Sequence, residues 1–364
     1  MVYSMTIDKG ILIQNVYWML SYAFQILRQS TYESIAAEKF DGAEDLFAAI
    51  LAKGVACQLK QGLYREYVMR EESFSILRGK LVMPETIRNR MQRKQRLSCE
   101  FDELSENNLY NQILKTTMLF LEKSKIVRPE RRQALHKLLL LFSGVDPLSI
   151  PAIPWRRLHF QRCNQNYEML LNVCFFVLDG MIQTTEEGNY RVAGFSEKHM
   201  AGLYERFVLE YYRRHHTYLS DVRSSWVEWN RTGDPKQSDS CLLPAMKTDV
   251  TLRFGEKTLI LDTKYYGQIL QRQFDKETLR SNHLYQMFAY VKNMDSAHTG
   301  NVSGILLYAK TGESITPDCK FCLDGNWLGA KTLDLNTDFH TIARQLDELA
   351  FCFFGRHEIE GEIV

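Results

Sequence analysis

Hydrophobic positions follow more than one rhythm along the chain, and the changes of rhythm divide it. Residues 15–27, "NVYWMLSYAFQIL", and 43–59, "AEDLFAAILAKGVACQL", have the 3.6-residue spacing of buried helices. Between about 63 and 100 the pattern shortens to the alternating runs "YREYVMREE" and "FSILRGKLVM", which predict a small β unit. Helical spacing returns in "NNLYNQILKTTMLFLEK" and "ERRQALHKLLLLF". Pro147, Pro151 and Pro154 then break the series, and a further helix is expected at about 165–182. The polar stretch "QTTEEGNYRVAGFS" reads as a hinge near residue 190. Beyond it the order is helix, strand, hairpin, helix, strand, strand, helix. The expectation is an α/β protein: a mixed helical and β domain over 1–190 and an α/β domain over 191–364.

The hairpin is the most informative stretch. In "KTDVTLRFGEKTLILDTKYY", residues 247–266, Gly255-Glu256 is a two-residue turn with glycine first, as type II′ prefers. That turn pairs Phe254 with Lys257, Leu252 with Leu259 and Val250 with Leu261, giving one apolar face. The same register sets Asp249 opposite Asp262, and the period of two puts Lys264 beside Asp262. Two facing carboxylates destabilise a sheet unless something positive compensates. Lys264 neutralises one charge; a hard divalent cation such as Mg²⁺ would take both. Such a cation polarises a phosphodiester and acidifies a bound water, so the trio is a minimal phosphodiester-hydrolysing site. The competing reading is a surface hairpin in which Lys264 balances Asp262.

Two helices supply further candidates. In "SEKHMAGLYERFVLEYYRR", Met200, Leu203, Tyr204, Phe207, Val208 and Tyr211 share a face, and Glu205 stands at its edge, within reach of the carboxylates or simply solvated. In "SNHLYQMFAYVKNM", Gln286 and Tyr290 are four residues apart on one side, placed to touch a phosphate or order the lysine, or else to join the core.

Composition narrows the partners. The chain has 364 residues, 45% hydrophobic and 24% charged, with a formal net charge of +1, so any polyanion site is a local patch. The run "RNRMQRKQR", Arg88 to Arg96, holds five cations and no acid, and suits a solvated face, DNA phosphates or an acidic partner surface. Eight cysteines are scattered, and the close pair Cys319 and Cys322 lacks the further ligands of a zinc site. With no signal-peptide pattern and no apolar run long enough to span a bilayer, a cytoplasmic protein is expected.

Asp249, Asp262-Thr263-Lys264 and Gln286-x-x-x-Tyr290 resemble the PD-(D/E)xK nuclease signature with its trailing helix. More closely, "LLPAMKTDVTLRFGEKTLILDTKYY" and "HLYQMFAY" resemble the McrC family, the nuclease subunits of McrBC modification-dependent restriction systems. The likeness continues in "QNVYWMLSYAF", "ILRGKL", "CEFDELSENNLYNQILK" and "GLYERFVLEYYRR", nearly the whole chain. Thr248 departs from the signature, which has proline there. The resemblance implies a restriction-endonuclease-like C-terminal domain, a mixed sheet flanked by helices, that cuts DNA containing modified cytosine with Mg²⁺. It also implies an N-terminal domain that docks onto an McrB-like hexameric AAA+ GTPase. The catalytic roles would fall to Asp249, Asp262 and Lys264 with Gln286 and Tyr290, and metal binding to Asp249, Asp262 and Glu205. The chain has no G-x-x-x-x-G-K-[ST] loop, so nucleotide-driven work needs another subunit. The alternative is a catalytically inactive adaptor of the same fold that stimulates the motor.

Overall fold

A computed structural model describes residues 6–7, 11–23, 35, 38, 40, 42–160, 165–180, 182–184, 190–192, 197–231, 242–265, 270–273, 276–310 and 316–356. They fall into two units: Phe47–Asp179, and Met1–Leu46 together with Gly180–Val364. The second boundary lies near the expected hinge, but the first 46 residues belong with the C-terminal part, not with an N-terminal domain over 1–190. The cause is visible in helix α1 (Ile13–Ala23). Val16, Tyr17, Met19, Leu20, Tyr22 and Ala23 are all buried, a surface too large for one stripe. Asn15 Nδ2 donates to Leu335 O and Thr337 O, Trp18 stacks on Phe339, and Tyr22 Oη meets His215 Nε2 at 2.7 Å.

In the unit Phe47–Asp179, α2 (Ala43–Gln61) leads into an antiparallel sheet of β1 (Glu66–Phe74), β2 (Lys80–Leu81) and β3 (Leu97–Ser105), ordered β1-β3-β2. Helix α3 (Met83–Met91) crosses between β2 and β3. Helices α4 (Leu109–Lys123), α5 (Pro129–Leu139) and α6 (Gln165–Phe175) follow, the last continuing through a wider turn to Gly180. Asn108 caps α4 by accepting from Asn111 N, and the Asn108 and Asn111 amides both donate to Tyr64 O. Tyr167 Oη in turn donates to Asn111 Oδ1 and accepts from Tyr64 N, tying α6 to the same knot.

The other unit is built on a six-stranded mixed sheet. In chain order its strands are β4 (Asp221–Arg223), β5 (Val250–Phe254), β6 (Lys257–Lys264), β7 (Val302–Ala309), β8 (Cys319–Leu323) and β9 (Asn326–Leu333). The spatial order is β8-β9-β7-β6-β5-β4. Strands β6, β7 and β9 are parallel to one another; β5 is antiparallel to β6, β4 to β5, and β8 to β9. Two helices precede and follow the hairpin, α7 (Glu197–His215) and α8 (Ser281–Met294), and α9 (Phe339–Phe354) follows β9. As a β6-α8-β7 crossover, α8 packs Met287, Tyr290 and Val291 on Ile260, Leu306 and Tyr308. On the opposite face Leu259, Ile305 and Leu307 share a groove with Leu349 and Phe353 of α9.

Among the described residues no helix is long and apolar enough to cross a membrane. Cys57, Cys99, Cys174, Cys319, Cys322 and Cys352 are free thiols, and Cys163 and Cys241 lie outside the described residues.

Candidate active site

The hairpin register is the expected one: Val250 pairs with Leu261, Leu252 with Leu259 and Phe254 with Lys257. Gly255 takes φ +57° at the first turn position, a conformation glycine adopts without a Cβ penalty. One feature of the site differs from expectation. The ladder ends at Val250–Leu261, so Asp249 stands a step beyond it rather than pairing with Asp262. Its Oδ2 instead accepts from Thr263 N at 2.7 Å and Thr263 Oγ1 at 2.8 Å. The carboxylate thus takes the place of a backbone acceptor on β6.

Asp262 is almost wholly buried, and its Oδ2 forms an ion pair with Lys264 Nζ at 2.6 Å. Burial pushes the Asp262 carboxyl up to about 6; Lys264 pulls it down and Asp249 adds to the rise. Lys264 Nζ also donates to Gln286 Oε1 at 3.1 Å, and Gln286 Nε2 donates to Tyr290 Oη at 2.7 Å. The relay requires α8 to lie close on the sheet. Gly304, the residue paired with Ile260, permits this: a Cβ there would overlap the Met287 side chain.

Glu205 is half-buried on α7, on the edge of the face where Met200, Leu203, Tyr204, Phe207, Val208 and Tyr211 are all buried. Its carboxyl is raised, first by burial and then by Asp249, with Lys247 opposing and Asp262 adding. Glu205 therefore shares the field of the two aspartates. Asp262, Lys264, Gln286 and Tyr290 are joined by direct contacts. Asp249 is held by Thr263 between them, and both Asp249 and Glu205 are joined to the set electrostatically.

Two neighbours carried no sequence signal, and a third, Thr248, showed only as a departure from the signature. Thr263 faces away from Asp262 by alternation, so its hold on Asp249 depends on where the ladder stops. Thr248 stands where the signature has proline. Its N–H donates to Ser225 O and its Oγ1 accepts from Ser225 N, neither of which proline could do. His283, one turn before Gln286, has Nδ1 3.0 Å from Tyr308 Oη, and burial lowers the imidazole to about 4, with Lys264 and Arg280 adding to the fall. Neutral at physiological pH, it adds no charge beside Lys264.

The unit is thus a mixed α/β protein with an acid–lysine centre at the carboxyl end of a central strand, the usual place for a site in an open α/β sheet. Residues 9–309 match the family described as McrBC 5-methylcytosine restriction system component, and the chain belongs to that family. It is 28% identical over 336 residues to the type IV methyl-directed restriction enzyme EcoKMcrBC of Escherichia coli (strain K12), covering 92% of this chain and 95% of that protein. Among solved structures it is similar to a half-complex of Thermococcus gammatolerans McrB AAA+ hexamers with bound McrC. There the TM-score is 0.48 at 20% identity, covering 91% of this chain and 76% of that one. A second similarity, to the McrBC complex of the same organism, has a TM-score of 0.41 at 22% identity, covering 57% of this chain and 59% of that one.

Proposed function

We propose that the chain is the Mg²⁺-dependent DNA endonuclease subunit of a methylcytosine-directed restriction complex, with a restriction-endonuclease-like catalytic unit of the PD-(D/E)xK type. The observation that carries this reading is the assembly of Asp249, Asp262 and Lys264 around one strand end, in a chain of this family.

The donor set suits a hard cation. Asp262 and Glu205 are both raised by burial and by carboxylate neighbours, a strain that divalent charge relieves. Among the described residues no cluster of three His, Cys, Asp or Glu forms a ready-made metal cage. Mg²⁺ asks for less, being commonly held by one or two carboxylates, waters and substrate phosphate. Asp249 and Asp262 would hold it, with Glu205 contributing. The ion would supply Lewis-acid polarisation of the phosphodiester and a more acidic water. Thr263 fixes the Asp249 carboxylate, and Gln286, steadied by Tyr290, fixes Lys264. The ammonium then stands ready for the negative charge that develops on phosphate.

The partner in this reading is an McrB-like AAA+ GTPase hexamer, and the unit Phe47–Asp179 is the docking module. Its small sheet exposes Tyr67 and Met69, the connection from β1 to β2 exposes Ile76 and Leu77, and α3 exposes Met83 and Met91 beside the basic run Arg88–Arg96. An exposed apolar cluster rimmed by charge is the surface of a protein that binds another. The alternative, an inactive adaptor, leaves the carboxylate–lysine trio without a purpose.

The test is cleavage of methylated plasmid by the full chain with its motor, GTP and Mg²⁺. Asp262→Asn should abolish cutting and still stimulate GTP hydrolysis. Stimulation by the unaltered chain with no cutting would establish the adaptor instead.

A further inference from the structure

Beside the carboxylate centre a two-stranded ribbon, Trp226–Val227 paired with Met246–Lys247, presents an aromatic ring to solvent. Trp226 is 69% exposed, the more notable because its ribbon is rigid. Val227 and Met246 are buried in the core under α8. On one side Thr248 locks the ribbon to Ser225. On the other, Trp229 Nε1 donates to Pro244 O and Asn230 N to Asn293 Oδ1. Lys247 pairs with Trp226 across the ribbon and holds its Nζ 5.7 Å from the ring centroid. Lys247 is also two residues from Asp249, and its charge is felt by Glu205.

A large aromatic ring held rigidly in water, with a cation beside it and a phosphodiester-cutting centre next in the chain, is the arrangement that holds single-stranded nucleic acid. Every base offers a π face for stacking, and the backbone offers phosphates for the cation. Resting on the nuclease reading above, we propose that Trp226 and Lys247 form a strand-holding platform. The indole stacks on an unpaired base of the DNA strand being cut, and the ammonium meets a neighbouring phosphate. A base inside an intact duplex has both faces covered, so the platform engages a strand that is locally opened. Leu242 and Leu243, a few residues before Lys247 in the chain, are also exposed, which makes a protein partner the competing occupant.

The test uses the full chain carrying Asp262→Asn, so that DNA stays intact, and a short single strand bearing iododeoxyuridine. Irradiation should give an adduct on Trp226, read by mass spectrometry. At low salt, Trp226→Ala should weaken binding of the same strand about tenfold, whereas Trp226→Phe should stay within about threefold. Lys247→Ala should reduce the slope of log affinity against log salt by about one. A fully paired duplex should show little dependence on Trp226. Adducts that map elsewhere, or a Trp226→Ala protein that binds strand as its parent does, would overturn the platform. So would Trp226→Ala losing the motor or a second copy of the chain while keeping DNA. The two readings separate cleanly: an unaltered chain that never cuts, yet stacks DNA on Trp226, sinks the nuclease and leaves the platform.

Discussion

The Thr263 hydroxyl and backbone N–H converge on a single oxygen of Asp249, at 2.8 and 2.7 Å. The carboxylate that would hold metal is thereby aimed by the residue between Asp262 and Lys264. Thr263→Val keeps the β-branched shape and the N–H but removes the hydroxyl. Motor-dependent cleavage should fall about 10- to 100-fold, the usual effect of losing a partner that orients a ligand. The Mg²⁺ concentration needed for half-maximal rate should rise. Thr263→Ser should restore both. Equal cleavage by Val and Thr proteins at limiting Mg²⁺ would show that the hydroxyl has no positioning role.

Asp262 leads to a prediction about pH in the absence of metal. Its carboxyl is raised to about 6 by burial, with Lys264 pulling down and Asp249 pushing up. Between its ordinary value near 4 and about 6, the folded protein holds a proton that the unfolded chain has released. Stability therefore falls as pH rises through this window and levels off above it. The raised value already includes the attraction of Lys264, so a neutral group of the same shape should be favourable. Asp262→Asn should melt a few degrees higher than the unaltered chain at pH 8 in EDTA. That advantage should shrink as pH falls from 6 toward 4. Identical melting curves at both ends would remove the case for a strained carboxylate.

The contact from Lys264 through Gln286 to Tyr290 predicts a graded series. Gln286→Leu removes the acceptor at 3.1 Å from Nζ, and cleavage should fall by about tenfold or more. Tyr290→Phe removes only the oxygen that steadies the amide, so the loss should be a few-fold. Because both act through Lys264 in this relay, binding of uncut DNA should be unchanged. If Tyr290→Phe proves the more damaging, the hydroxyl itself acts on substrate and the relay is misassigned.

The hairpin was legible because two strong constraints coincide: a two-residue glycine turn and leucines at alternate positions allow a single register. The grouping of Asp249, Asp262 and Lys264 follows from that register. What alternation could not reveal is that both faces of β6 are covered. Ile260 is as buried as Leu259, because α8 covers one face of β6 and Leu349 and Phe353 of α9 lie on the other. Nor could periodicity say where α1 goes. Its spacing announced a buried helix but carried no information on which of two units buries it, and adjacency in sequence pointed to the wrong one. Burial contacts more than 300 residues apart, such as Asn15 with Leu335, have no local signature.

That placement of α1 changes how the chain should be cut for experiments. A fragment beginning near residue 191 would lose Trp18 from Phe339 and Tyr22 from His215, and should be unstable for that reason alone. Trp18→Ala in the full chain should lower the melting temperature of its unit, because a partly buried ring stacked on Phe339 loses part of the about 3–5 kcal/mol that a fully buried one would. The better fragment is the other unit, begun at Ala43 so that α2 stays whole and ended at Asp179. Its purified form should bind the GTPase hexamer and raise GTP hydrolysis while producing no cuts. Replacing Tyr67 and Met69, both largely exposed, with serine should cancel that stimulation without affecting its fold. The full chain without motor should cut poorly whatever the metal, since a net charge of +1 gives little non-specific hold on duplex. Adding the hexamer with GTP should switch cleavage on. Brisk digestion of plasmid by the chain and Mg²⁺ alone, indifferent to the motor, would show that this nuclease needs no partner and that the apolar sheet serves some other purpose.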